Sequence, residues 1–342
     1  MKPIVRFRHL ALATLLAAIA AASLASATAA ERIKLATLAP TGSTYYKSLL
    51  AMKDAWRKAS NGGVDLIVYA DGKLGGEADT VGLMGVNSLQ AAMLTGVGLA
   101  EIERAVTGLQ CMPMGFQDFS EVDYVTEKMR PMLEKRLSEK GFIVLFWADA
   151  GWVHFFSKKP VTHPADLQKL KLFNWSGNPQ QVEIYRSSGF DAVALETADI
   201  LPGLQTGLID AAPLPPVFAL ATQVDTRAPF MLDLNWGPLI GACVIRKATW
   251  EKIPAAIREE LFKIATETGK EIKTNGRLEM DASIKAMEKR GLKVTKLTPE
   301  IEAEWRTVAE GSYPKIRGKL VSEDVFDTAL KLIKECRASK GR

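Results

Sequence analysis

The sequence predicts an α/β fold in two domains joined by one very long helix. Three observations predict it. Apolar runs of strand length alternate with helical stretches in two successive series. The chain has 342 residues, 47% of them hydrophobic, enough for two cores. A proline-free stretch from Ala255 to Arg290 carries apolar residues near helical period.

The first thirty residues stand apart. Lys2, Arg6 and Arg8 form a basic start, Leu10–Ala22 an apolar run, and "ATA" at 27–29 a small-residue cleavage site, which together read as an export signal over 1–30. The apolar run is short for a membrane span. This leader carries three of the 44 Lys and Arg and none of the 39 Asp and Glu, so the rest of the chain has a net charge of +2. Such a balance gives no support to nucleic acid as a partner. Cys111, Cys243 and Cys336 form no C-x-x-C pattern and allow one disulfide at most. Cys111 and Cys243 sit in apolar surroundings and read as buried thiols.

The first series opens with a strand at Ile33–Leu38, a Pro-Thr-Gly-Ser-Thr turn, and a helix from near Thr44 that stops at Gly62–Gly63. "VDLIVY" and "SLQAAMLTG" read as further strands, with a helix from about Glu77 between them, which predicts a three-layer domain with a largely parallel sheet. The second series starts at "FIVLFWADAGWVHFFS". It runs through the strand "LQKLKLFNW", the helix "PQQVEIYRSSGF", the strand "DAVAL", the helix "ADILPGLQTG" and the strand "IDAAPL". "LIGACVIRKATW" looks like a strand returning to the first domain. For the long helix, Pro254 suits the first turn and Gly291 the stop. Its 36 residues would span about 54 Å, enough to bridge both domains, with Gly269 and Gly276 as candidate bends. The expected division is 31–150 plus 239–278, then 151–238 plus 279–320, with a C-terminal helix in 321–342.

Signatures of catalysis are missing. Outside the leader the histidines are His154 and His163, in no zinc-site pattern, and no G-x-S-x-G or Walker A loop occurs. Glu77, Glu196 and Asp210 read as solvated or helix-capping carboxylates. Neither an enzyme nor a cofactor is expected.

Two blocks, "KPVTHPADLQKLKL" at 159–172 and "GLQTGLIDAAPLP" at 203–215, resemble those of the solute-binding proteins of TRAP (tripartite ATP-independent periplasmic) transporters, the DctP-type family, with the same order and spacing. "DLIVYADGKLGG" is similar to the family's first-domain pattern. The resemblance covers most of 31–330. It implies a two-domain periplasmic-binding-protein fold with a hinge, a small-molecule ligand closed in the interdomain cleft, and integral-membrane TRAP permease subunits as partners.

Most family members hold an organic acid with an arginine that forks its carboxylate. Alignment on the family block "LKiRv" puts Phe173 at that arginine. A second family arginine, in "GxR", falls on Val153, and an asparagine near the end of "DGqenP" falls on Leu214. Three polar contacts replaced by apolar side chains imply a neutral, aromatic or largely apolar ligand. Trp152, Trp175 and Trp236 would add flat surface, and Tyr45, after the first strand, would face the cleft from the first domain. Phe173 and Leu214 also suit a strand core, so packing stands as the alternative reading for both. An acid ligand held by His154 or Asn174, or by Arg186 and Arg227, is the alternative, and a charged His154 would bind a carboxylate only at low pH. A receptor that signals or carries lipid rather than feeding transport is a third alternative. With Phe173 in the pocket, Phe173→Arg is expected to weaken binding strongly and leave the fold intact, with Leu214→Asn milder.

Overall fold

The computed structural model describes residues 30–341. The export signal expected at 1–30 lies, except for residue 30, outside them. The first series of elements is β1 (Glu31–Thr37), α1 (Thr44–Ala59), β2 (Val64–Tyr69), α2 (Glu77–Gly85), β3 (Ala91–Thr95), α3 (Gly96–Ala100) and α4 (Phe119–Glu139). The second is β4 (Phe142–Ser157), α5 (Pro164–Leu167), β5 (Lys171–Trp175), α6 (Pro179–Ser187), β6 (Asp191–Leu195), α7 (Ile200–Thr206), β7 (Ala211–Leu214) and α8 (Pro216–Ala221). The chain ends with β8 (Phe230–Arg246), α9 (Lys247–Trp250), α10 (Ala255–Glu288), β9 (Lys293–Thr295), α11 (Pro299–Gly311), α12 (Tyr313–Ile316) and α13 (Glu323–Ser339). Ser43 caps α1 by accepting the Tyr46 N–H at 3.3 Å, which fixes the helix start the turn predicted.

The strands form one sheet in the order β2-β1-β3-β8-β4-β7-β5-β6, with β9 beside β8. The parallel pairing expected of the first series is found in β2, β1 and β3, but the sheet as a whole has an antiparallel centre. β1 pairs with β2 and β3 in parallel, as β5 does with β6 and β7, but β3, β8, β4 and β7 run antiparallel through the centre. The reason is topological: β4 leaves the first half for the second and β8 returns beside it, so neighbours in the crossing must oppose.

These two strands serve both halves. β8 pairs with β3 through Gly241–Ile245 in the first and with β9 through Phe230–Leu232 in the second. Between Asp149 and Trp152 the β4–β8 register shifts, and Gly151 adopts φ +85 there. A side chain is excluded at 151 twice over, because a Cβ would lie 2.2 Å from the Met280 sulfur.

Helix α10 is continuous over 34 residues, about 51 Å. Its buried stripe, Leu261, Ala265, Gly269, Ile272, Gly276, Met280, Met287, joins the first-half core through Met280 and the second-half core at Met287. The helix runs unbroken through Gly269 and Gly276. Both glycines sit on the buried stripe and let neighbours approach: a Cβ at 269 would lie 2.5 Å from Phe146 Cβ, and one at 276 would lie 2.1 Å from the Tyr45 hydroxyl. The helix ends at Glu288, two residues before the expected Arg290, and the three cysteines are buried and free.

Gly269→Ala should therefore lower stability in denaturant unfolding, because overpacking against β4 costs about 1–3 kcal/mol and outweighs the roughly 1 kcal/mol gain in helix propensity. Gly82→Ala, in α2 with open space around it, should gain stability instead.

Candidate ligand-binding cleft

A cavity of about 110 Å³ opens where the parallel strands of both halves end. One water needs roughly 10–15 Å³ on the same measure, so the space suits a small molecule. Thr37 at the end of β1, Thr95 at the end of β3, Trp175 at the end of β5 and Leu214 at the end of β7 all line it, with Tyr45 and Glu77 from the first half and Phe218 from the second. The crossing strands supply Ala148–Ala150 and Leu239–Gly241. Carboxyl ends of parallel strands are where open α/β sheets take ligands.

Two carboxylates stand on this wall, and both are already engaged. Glu77 accepts the Thr95 N–H at 2.6 Å, the Thr95 hydroxyl at 2.5 Å and the Gly98 N–H at 3.0 Å. Burial pushes its pKa upward in spite of those bonds, and the nearby Glu196 carboxylate adds to the rise. Asp149 is gripped by Arg277 of α10, whose Nε and Nη2 donate at 3.2 and 2.7 Å. The same guanidinium forks Asp123 at 2.9 and 2.8 Å and lies 4.1 Å from the Phe119 ring centre. No lysine, arginine or histidine lines the cavity.

A second cavity of about 70 Å³ adjoins it, sharing Trp175 and Leu239. Its wall is mostly apolar, with Val153, Phe190, Trp236, Val308 and Ile316 among the lining residues, and carries no Lys, Arg, His, Asp or Glu. The Trp236 indole N–H donates to the Tyr185 hydroxyl at 2.8 Å, and the Gln110 side-chain oxygen accepts the Ile240 N–H at 3.1 Å.

The sequence-derived candidates divide accordingly. Tyr45, Trp175 and Leu214 line the first cavity; Val153, Trp175 and Trp236 line the second. Phe173, Trp152, His154 and Asn174 line neither. Phe173 has no exposed surface, sits in the second-half core with Phe156 and Leu204, and meets the Trp175 ring edge-on at 5.0 Å. The expected tolerance of Phe173→Arg is corrected by that burial: an unpaired guanidinium there would cost stability before it touched a ligand. Trp152 stacks on Phe119 at 5.1 Å within the first-half core, and Asn174 is buried.

His154 is buried, its ring nitrogens make no well-formed hydrogen bond, and Asp233 is 3.9 Å away. Burial pushes its pKa down to about 4, against the pull of Asp233 and Asp281, so it is neutral at ordinary pH. Arg186 spends Nε and Nη2 on the Ala192 carbonyl at 3.0 and 2.8 Å, and Arg227 is exposed and away from both cavities. Neither supplies the missing cation. Sequence reasoning passed over Arg277 and Asp149, since a lone arginine in a helix and a lone aspartate in a strand carry no signal until folding joins them. Glu77, at the start of α2 after a Gly-rich turn, reads as a cap from sequence and is instead a buried anchor.

A two-lobed α/β fold with a cleft at its strand ends is the architecture of solute-binding proteins, and the family match decides the class. The model for bacterial extracellular solute-binding protein family 7, DctP, matches residues 35–319, and the chain belongs to that family. It is 23% identical over 286 residues to the C4-dicarboxylate-binding periplasmic protein DctP of Rhodobacter capsulatus, covering 82% of this chain and 84% of the relative. It is also 23% identical to the 2,3-diketo-L-gulonate-binding periplasmic protein YiaO of Escherichia coli, covering 77% and 80%. In fold it matches a TRAP periplasmic solute-binding protein of Ralstonia eutropha with bound (S)-2-acetolactate, at TM-score 0.83 and 21% identity over 89% of this chain and 99% of that one. A sugar-acid-binding protein of Advenella mimigardefordensis in complex with galactonate gives TM-score 0.83 at 15% identity over 89% and 98%.

Arg277→Met should cost about 3–5 kcal/mol in unfolding experiments, because it strands the buried Asp149 carboxylate. His154 makes a second test. The unfolded chain protonates it near 6.5 and the folded chain only near 4, so its contribution is full above pH 6.5 and is lost as pH falls toward 4. His154→Leu should flatten stability against pH in that window.

Proposed function

We propose that the protein captures an uncharged, aromatic or largely apolar molecule in the periplasm, after removal of the leader, and delivers it to the membrane subunits of a TRAP-type permease. The observation that carries this reading is the charge of the wall. Neither cavity is lined by a basic side chain, and both carboxylates facing the first are satisfied by the protein itself. An ionised acid buried there would lose its hydration without gaining a counter-charge, at a cost of several kcal/mol. The alignment of Phe173, Val153 and Leu214 with three polar family positions supports the same ligand class, with Phe173 acting from behind Trp175 rather than by contact.

Capture requires the halves to close. The register shift beside Gly151, with Leu239 lining the cleft on the partner strand, supports a division at 150/151 and 238/239, each lobe carrying part of α10. The competing reading, an organic acid, draws on the names of the relatives and has no basic side chain on either wall to hold the carboxylate.

A thermal-shift series tests the choice. Benzyl alcohol should raise the melting temperature in a concentration-dependent way, and succinate and galactonate should not. A rise with the acids alone would overturn the reading. Trp175→Ala should weaken the neutral ligand about tenfold, roughly 1.4 kcal/mol, as measured by calorimetric titration.

A further inference from the structure

We propose that the two cavities form one ligand chamber folded over Trp175, and that it takes an elongated uncharged molecule of two ring-sized parts whose deep end carries a hydroxyl or N–H donor for Gln181. The inference rests on the uncharged-ligand reading and adds length and polarity to it. Pro213 and Leu214 are neighbours in β7, yet Pro213 lines the second cavity and Leu214 the first. Successive strand residues face opposite ways, so the cavities lie over the two faces of the sheet and meet at the strand ends. Trp175, at the end of β5, reaches both.

That ring is held in place as a saddle. Its N–H donates to the Thr197 hydroxyl at 3.2 Å, and Phe173 buttresses it edge-on at 5.0 Å. With room of about 110 Å³ on one side and 70 Å³ on the other, a ring seated on one side only would leave more than a third of the combined space unfilled. Two linked rings would fill both.

The deep cavity also holds one unmet polar atom. The Trp236 N–H donates to the Tyr185 hydroxyl, the Gln110 oxygen accepts the Ile240 N–H, and the Ser188 hydroxyl accepts from the Lys315 ammonium at 3.3 Å. The Gln181 side-chain oxygen is buried and has no hydrogen-bond partner among the described residues. A buried acceptor left unpaired is costly, and a donor on the ligand would relieve it.

N-phenyl-1-naphthylamine is a suitable probe, being neutral, two-part and an N–H donor, with fluorescence that rises in apolar surroundings. It should bind the wild-type protein. Val308→Trp, which fills the deep cavity, should weaken it at least tenfold, and Gln181→Leu should weaken it about three- to tenfold. Circular dichroism and cooperative thermal unfolding of both variants should match those of the wild type and thereby report an intact fold. Should Val308→Trp fail to fold, Gln181→Leu decides alone. The chamber is overturned if the amine binds wild type and the folded variants equally, or if benzyl alcohol binds and the amine does not; the uncharged-ligand reading then stands. If neither neutral probe binds, both fall.

Discussion

The guanidinium of Arg277 is the contact on which the architecture depends. It reaches from the middle of α10 to Asp149 in β4 and to Asp123 in α4, so one side chain joins the bridging helix, a crossing strand and a first-half helix. The residues around Asp149 follow from that grip. The Asp149 carbonyl accepts the Tyr45 hydroxyl at 3.0 Å, and its carboxylate accepts the Gly151 N–H at 3.2 Å. Met280 then lies where a side chain on Gly151 would be. The register shift in β4 is thus held by a charged clamp, a glycine with positive φ and a thioether, all against one turn of α10.

The same clamp bears on ligand chemistry. Asp149 would otherwise present a bare carboxylate to the cleft; paired, it adds little field there. Glu77, the other carboxylate lining the cavity, is held by three donors. The remaining surface carries aromatic, aliphatic, hydroxyl, amide and backbone groups and no further charged side chain, and on such a surface affinity comes from buried area, ring contacts and neutral hydrogen bonds rather than charge. A cleft built in this way discriminates by shape and by the few hydrogen bonds still open.

Much of the fold was legible in the sequence, because apolar periodicity and turn residues are local signals. The start of α1 at Thr44, the start of α2 at Glu77 and the run of α10 from Ala255 were all visible in that way. The antiparallel centre of the sheet was not, since strand direction is set by β4 and β8 lying side by side, which no local pattern encodes. Gly269 and Gly276 read as bends because glycine weakens a helix; their use as points of close approach depends on Phe146 and Tyr45, more than a hundred residues away in sequence. At the site, Tyr45, Val153, Leu214, Trp175 and Trp236 reach a cavity wall, whereas Phe173 and Trp152 are taken up by ring packing. Alignment gives a position along a strand, but the packing of neighbouring rings decides how much of that position a ligand can touch.

The most direct test of an uncharged ligand is native mass spectrometry of the exported protein as purified from its own host, followed by organic extraction and identification of what is released. An uncharged ring-containing molecule, retained in the native spectrum and recovered in the extract, is the expected result. A small carboxylate recovered in stoichiometric amount would contradict it, because a cleft without a basic side chain would then be holding an acid.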